Sequence, residues 1–226
     1  MGVSSLQDGR SHDLLEGSLD DMMAVDTEHF SHIRRMRDQR FPYEIATILP
    51  GEFFVSREPM VVYTVLGSCI SACIRDPIAQ VGGMNHFMLP APKVHQSGDS
   101  WGGESTRYGS FAMEQLINGI LKRGGMKNRL EVKLFGAGRI YEGNIDVGAR
   151  NIEWVLQYLK LEGYSLAKSD LGDVYPRKVY YFTDSGRVLL KKIERIKNRT
   201  IFERESAYQD RMRSEQTEQE SDITLF

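Results

Sequence analysis

Two cysteines are the strongest nucleophiles in the sequence, and both lie in the segment LGSCISACIRD. Cys69 follows Gly67-Ser68 directly after an apolar stretch, which predicts a sharp turn at a strand end with an accessible thiol. Backbone N–H groups of such a turn can point at a developing oxyanion, so Gly67 and Ser68 are predicted to bind substrate. The alternative is a buried cysteine that packs as a small hydrophobe, which is our interpretation of Cys73.

A histidine at position 86 could act as the base for Cys69. It lies in VGGMNHFMLP between two methionines, so a core histidine facing apolar neighbours is the alternative interpretation. The interval between the two residues suits adjacent strands joined by a turn at Asp76-Pro77. An imidazole there can accept the thiol proton and hold a thiolate–imidazolium pair. The thiol pKa would then lie below its usual value of about 8.5.

The other residues that can bind metals do not predict a cofactor site. His29 and His32 have a spacing that could share a metal on a helix, but no third ligand lies near them in the sequence. GxSxG, Walker A, dinucleotide-binding and HExxH motifs are absent from the sequence. We therefore expect no metal and no organic cofactor.

The two cysteines are not expected to form a disulfide. On one strand their Cα atoms would lie about 13 Å apart, whereas a disulfide needs less than about 7 Å. Free thiols and a reducing cytoplasm are the simplest interpretation. The N-terminus is acidic where a signal peptide would be apolar, and no apolar run reaches membrane-spanning length. A cytoplasmic protein without membrane insertion is expected.

The composition sets the size and class of the protein. The chain has 226 residues, of which 41% are hydrophobic and 27% charged, with a formal net charge of -2. These values are typical of a globular protein and do not favour nucleic acid as a partner. We predict a flexible N-terminal tail over 1–40, a folded domain over 41–195, and a charged C-terminal tail or frayed helix over 196–226.

The middle of the chain alternates short elements that would position Cys69 and His86. Helices are predicted at 108–122 and 149–161 from apolar residues at helical spacing. Strands are predicted at 52–56, 60–66, 69–75, 80–89 and 130–135, with a hairpin of 178–182 and 187–192. The strands are mostly consecutive, so the expected fold is mixed α/β, largely antiparallel, with two main helices on the outer faces of the sheet layers.

A glycine-rich loop over 96–105 interrupts this pattern and contains Trp101. An aromatic side chain on a mobile loop could anchor a macromolecular substrate, so Trp101 is a candidate substrate-binding residue. The alternative is that Trp101 packs back on its own core.

Six motifs resemble, in order, the CheD family of chemoreceptor glutamine deamidases: TVLGSCISACIRDP, GGMNHFMLP, RYGSFAMEQLINGILKRGG, LEVKLFGAGRI, VGARN and RKVYYF. The resemblance implies a layered α/β sandwich, similar to the deamidating necrotizing-factor toxins. It implies Cys69 as nucleophile, His86 as its partner, and Thr64 as the third member of the catalytic set.

The same resemblance implies a reaction and partners. The substrates would be glutamines on the helical cytoplasmic part of methyl-accepting chemotaxis receptors, converted to glutamate through a cysteine thioester. Some relatives also bind a CheC-type phosphatase, which is a possible second partner.

Two alternatives remain at this point. The first is another Cys–His acyl hydrolase or a transferase such as a transglutaminase, which would trap amines in place of water. The second is a non-catalytic adaptor that binds receptor or phosphatase. The mass change of a receptor glutamine would discriminate among these functions.

Overall fold

We analysed a computed structural model of the chain, which describes residues 30–90, 104–140, 146–194 and 199–221. The chain divides into two compact units, Met1–Ile33 and Arg34–Phe226. In the first unit, the described residues form a turn, and Phe30 and Ile33 are buried. All the elements below belong to the second unit.

The first sheet has the strand order β1-β2-β4-β9-β10. Its strands are β1 Arg34–Met36, β2 Ile45–Thr47, β4 Val61–Leu66, β9 Arg177–Phe182 and β10 Val188–Lys192. β2 and β4 pair in parallel, and the other neighbours are antiparallel.

The second sheet has the strand order β3-β6-β5-β7-β8. Its strands are β3 Phe53–Ser56, β5 Ile70–Asp76, β6 Val81–Asn85, β7 Glu131–Gly136 and β8 Leu166–Leu171. β7 and β8 are parallel because a helix connects them, whereas the remaining pairs are antiparallel. The predicted, largely antiparallel pairing is therefore confirmed.

Two helices, α1 Glu104–Lys122 and α2 Val147–Glu162, lie against the second sheet. Helix α2 begins at Asp146, whose carboxylate accepts a hydrogen bond from Ala149 N, and ends at Gly163 in the left-handed conformation. No helix among the described residues has the length and apolar character needed to span a bilayer.

Two neighbouring glycines of β6 reveal the order of the layers. A side chain added at Gly82 would meet the Tyr181 hydroxyl of the first sheet, whereas one added at Gly83 would meet Leu116 of α1. Successive residues of a strand point to opposite faces, so the second sheet lies between the helices and the first sheet. The Tyr181 hydroxyl also donates to Ile74 O and joins the two sheets. This is the expected layered α/β sandwich.

The C-terminal segment, predicted as a charged tail or a frayed helix, contains a helix with a buried face. The structure describes a helix, α3, over Arg199–Ser221, in which Ile201, Glu205, Tyr208 and Met212 are buried. These four residues share one face of the helix, but one of them is a glutamate. The sequence therefore lacks the uninterrupted apolar stripe that normally predicts a packed helix. The proposed division at 41–195 stays a prediction.

Candidate active site

The connection between β4 and β5 forms a tight turn over residues 67–69, called here the nucleophile turn. Its carbonyl groups all face away from the site and accept hydrogen bonds. Gly138 N donates to Gly67 O and Ala137 N to Cys69 O, both at 2.7 Å, while the Asn151 amide donates to Ser68 O at 2.8 Å. The three N–H groups of the turn consequently point into the site.

His86 follows β6 directly and lies beside the turn, as the sequence predicted for adjacent strands. Ile70 pairs with Phe87 where β5 meets the end of β6. The imidazole Nδ1 is 2.8 Å from Thr64 Oγ1, and that hydroxyl also donates to Ile48 O at 2.8 Å.

The hydroxyl of Thr64 decides which nitrogen of His86 carries the proton. A hydroxyl has one hydrogen, and that of Thr64 goes to the carbonyl of Ile48. Thr64 Oγ1 must therefore accept from His86 Nδ1–H, which leaves Nε2 with its lone pair. Nε2 is buried without a hydrogen-bond partner. It is the atom available to accept a proton from Cys69.

A third side chain, Glu205 of α3, completes the cluster. Single ligand atoms of Cys69, His86 and Glu205 all lie within 4.8 Å of one another. One Glu205 oxygen accepts from Gly67 N at 2.8 Å and Cys69 N at 3.4 Å. The other accepts from Ser68 N at 2.9 Å and Ser68 Oγ at 2.6 Å. The nucleophile turn is therefore an anion-binding nest, which Glu205 fills.

The absence of a side chain at Gly67 makes this close approach possible. A Cβ atom there would lie 2.8 and 2.9 Å from the two Glu205 oxygens. Any other residue at this position would push the carboxylate off the turn.

With α3 in place, the site is closed, and both Cys69 and His86 are in their neutral forms. Cys69 is 0% exposed, and His86 and Glu205 are each 2% exposed. Burial raises the pKa of the Cys69 thiol, and the charge of Glu205 and a hydrogen bond to it raise that pKa further. Burial lowers the pKa of His86 to about 3. The thiolate–imidazolium pair and the accessible thiol expected from the sequence are therefore wrong for this closed arrangement.

A cavity of about 280 Å³ lies beside the imidazole, between α3 and the first sheet. Its wall includes Tyr63, Thr64, His86, Arg204 and Glu205. Of the Cys–His pair, His86 lines this cavity and Cys69 does not.

The three clustered side chains are of types that also bind metals. The carboxylate of Glu205, however, already accepts four hydrogen bonds from the nucleophile turn. The Cys69 thiol also hydrogen-bonds this carboxylate, so donors of the turn surround it on both oxygens. The donor set thus fits an anion site better than a metal site.

The structure brings together five of the six predicted site residues: Thr64, Gly67, Ser68, Cys69 and His86. Trp101 lies outside the described residues. Cys73 is buried in β5, and both cysteines are free thiols, as expected.

Sequence reasoning missed Asn151 and Glu205. Asn151 is buried and also accepts a hydrogen bond from Leu89 N, so it ties α2 to both the turn and the segment after β6 that carries His86. Asn151 is the last residue of the VGARN motif, which could have indicated it. Glu205 had no local signal, because a single glutamate in a charged helix looks solvated.

The chain is similar to a family of known proteins along most of its length. A model of the CheD family, described as CheD chemotactic sensory transduction, matches residues 88–192. A probable chemoreceptor glutamine deamidase CheD of Herminiimonas arsenicoxydans is 46% identical over 201 residues, 88% of this chain and 97% of the relative. The Dechloromonas aromatica protein CheD 1 is 47% identical, over 88% of this chain and 96% of the relative. The Halorhodospira halophila protein is 51% identical, over 79% of this chain and 84% of the relative. Both are named probable chemoreceptor glutamine deamidases.

Proposed function

The chain belongs to the CheD family, and on that premise we propose that it is a chemoreceptor glutamine deamidase with Cys69 as nucleophile and His86 as base. The observation that carries this assignment is the orientation of His86. Thr64 holds Nδ1–H, so Nε2 keeps its lone pair, and a nitrogen of this imidazole lies within 4.8 Å of the thiol sulfur. This is the arrangement of a nucleophile, its base and a residue that orients the base.

The first half of the reaction releases ammonia. His86 Nε2 takes the proton of Cys69, and the thiolate adds to the side-chain amide carbon of glutamine. The carbonyl electron pair moves to oxygen, where the N–H groups of Gly67 and Cys69 stabilise it. Collapse of this intermediate breaks the C–N bond as the imidazolium gives its proton to nitrogen. Ammonia leaves and a thioester remains.

The second half restores the enzyme. His86 accepts a proton from water, and the resulting hydroxide adds to the thioester carbon. The C–S bond then breaks, the product is glutamic acid, and the imidazolium returns its proton to Cys69. The sum is an amide plus water giving a carboxylate and ammonium. Every step uses residues of this chain, and Thr64 acts by positioning the imidazole.

The substrate and setting follow from the family. The relatives are named chemoreceptor glutamine deamidases, which supports methyl-accepting chemotaxis receptors as substrates of this chain. A CheC-type phosphatase as partner, a cytoplasmic location and a docking role for Trp101 stay predictions.

Cys69→Ala and Cys73→Ala provide the matched test. Purified receptor is incubated with each chain, and its glutamines are examined by mass spectrometry for conversion to glutamate. We expect Cys69→Ala to abolish conversion, whereas Cys73→Ala retains most of it and costs only a modest core-packing loss. Full conversion by Cys69→Ala would exclude the thiol as nucleophile. Incorporation of an added amine would identify a transferase.

A further inference from the structure

Glu205 occupies the position that the product carboxylate would take at the end of the proposed reaction. Hydrolysis of a glutamine leaves a glutamate carboxylate against the nucleophile turn, beside Cys69. Glu205 is itself a glutamate, and its carboxylate accepts four hydrogen bonds from residues 67–69. The chain therefore supplies, from its own C-terminal helix, the functional group that its reaction would produce.

The helix around Glu205 also fits the site as a substrate helix would. Ile201, Tyr208 and Met212 are buried four residues before, three after and seven after Glu205. These spacings place them with Glu205 on one face of the helix. The ring of Tyr208 lies against Gly51, and its hydroxyl meets that of Tyr108 on α1. The site thus accommodates a helix with one acidic or amide side chain among apolar neighbours.

The closed site cannot react with a macromolecule while α3 stays in place, because Cys69 and His86 are buried beneath it. The exposed side chains described on α3 include Glu203, Asp210 and Ser214, which are polar, and the small Ala207. A helix with such a narrow apolar face buries little apolar surface. It is therefore held only weakly against the rest of the protein and is marginally stable by itself. Its departure would break its contacts with Gly51 and Tyr108, whereas the strand pairing of both sheets does not involve it.

We propose that α3 is an internal product mimic, which holds Glu205 in the position where the reacting receptor residue would bind. It follows that α3 must leave before a receptor helix can bind. This inference rests on the proposed function for the chemistry at Cys69. It adds that the enzyme is self-inhibited, and that a substrate helix carries apolar side chains at the positions that flank Glu205 in α3.

A glutamine at position 205 would become a substrate in cis. Its amide oxygen can accept from Gly67 N and Cys69 N, but its NH₂ group then faces the N–H of Ser68, and two donors cannot bond. Docking is therefore weaker than with glutamate. Whenever α3 docks, Cys69 can add to the amide carbon, expel ammonia with a proton from His86, and leave glutamate after hydrolysis by water.

The experiment uses full-length chains carrying Glu205→Gln, the double change Glu205→Gln with Cys69→Ala, and the exposed control Glu203→Gln. Peptide mass spectrometry after purification should find glutamate at position 205 in the first chain. It should find glutamine at 205 in the second chain and at 203 in the third. The conversion rate should not depend on protein concentration, because the reaction is intramolecular.

A second measurement tests the covering role of α3. Iodoacetamide should modify Cys69 about tenfold faster in full-length Glu205→Ala than in the unmodified chain, the factor expected when charge-assisted hydrogen bonds that close the site are lost. Buried Cys73 is the internal control, since unfolding would expose both thiols whereas departure of α3 exposes only Cys69.

The outcomes separate this inference from the proposed function. Glutamine that persists at 205 beside an intact Cys69 overturns the product mimicry, and unchanged alkylation of Cys69 overturns the covering role. Bound zinc in stoichiometric amount, lost in Glu205→Ala, would also overturn the inference by making Glu205 a metal ligand. Each of these results is compatible with Cys69-dependent deamidation of receptor. Conversion at 205 without any action on receptor would instead overturn the proposed substrate.

Discussion

One hydroxyl group sets the chemistry available at His86. Thr64 donates to Ile48 O and accepts from His86 Nδ1–H, so the imidazole presents Nε2 as a base. In the closed state both reacting groups are neutral, because burial raises the pKa of Cys69 and lowers that of His86. Replacing the negative charge of Glu205 by a neutral amide removes one of the causes that raise the thiol pKa, although the larger cause, burial, remains.

Replacement of Thr64 tests the positioning role. Thr64→Val should lower kcat on receptor by about tenfold or more, a part of the 10²–10⁴-fold that a well-placed acid–base group supplies. Thr64→Ser keeps the hydroxyl and should restore most of the rate. Urea denaturation of both chains provides the control for stability, and equal kcat values for the two variants would show that the hydroxyl has no role.

At the scale of elements, the end of β7 supports the nucleophile turn. Residues 137 and 138 donate to the carbonyls of Cys69 and Gly67, which turns the N–H groups of the turn toward the site. Gly136 has a φ of 112°, and a side chain there would collide with Cys69 O. The orientation of the N–H groups that we propose for oxyanion binding therefore depends on a glycine in a different strand from Cys69.

Gly136→Ala and Gly124→Ala separate this close approach from simple backbone strain. Both glycines have positive φ, but a side chain at Gly124 would have nothing within 4 Å. We expect Gly124→Ala to cost about 1 kcal/mol of unfolding free energy and to leave kcat unchanged. Gly136→Ala should cost about 2 kcal/mol or more and also lower kcat. Equal effects on kcat would contradict support of the turn by β7.

At the scale of the whole molecule, the site lies where the two sheets meet. Thr64 comes from the first sheet, His86 follows a strand of the second, and the nucleophile turn crosses between them. An ion pair between a buried arginine and a part-exposed aspartate joins the same two layers. Arg177 of β9, 0% exposed at its side chain, donates to Asp170 of β8 at 2.7 Å and to the carbonyls of Gly172 and Tyr175.

Loss of the charge at Asp170 should destabilise the protein more than loss of the charge at neighbouring Asp173. Asp170→Asn leaves the buried guanidinium of Arg177 without its closest counter-ion, at a cost of about 2–3 kcal/mol. Asp173→Asn removes a half-exposed pair with Lys192 and should cost less than about 1 kcal/mol. Unfolding free energies from urea denaturation measure both, and similar values would show that the pair at the buried Arg177 does not hold the sheets together.

The sequence by itself determined the elements whose apolar pattern repeats locally. The helices at 108–122 and 149–161, the strands around Cys69 and His86, and the final hairpin were all predicted, because residues on one face of an element share one environment. The closeness of Cys69 and His86 followed for the same reason, since they flank consecutive antiparallel strands. The strand β8 was missed because its side chains are mostly exposed and do not alternate.

Only the tertiary structure decided which groups surround the proposed catalytic residues. The proton position on His86 depends on Ile48 O, a backbone atom that no sequence pattern marks. The occupant of the nucleophile turn, Glu205, lies 138 residues from Gly67 in the chain. A glutamate within a charged helix carries no local signal of burial, because its environment is created by hydrogen-bond donors from a distant turn. Periodicity reports which face of an element is buried, whereas contacts between distant elements decide what that face binds.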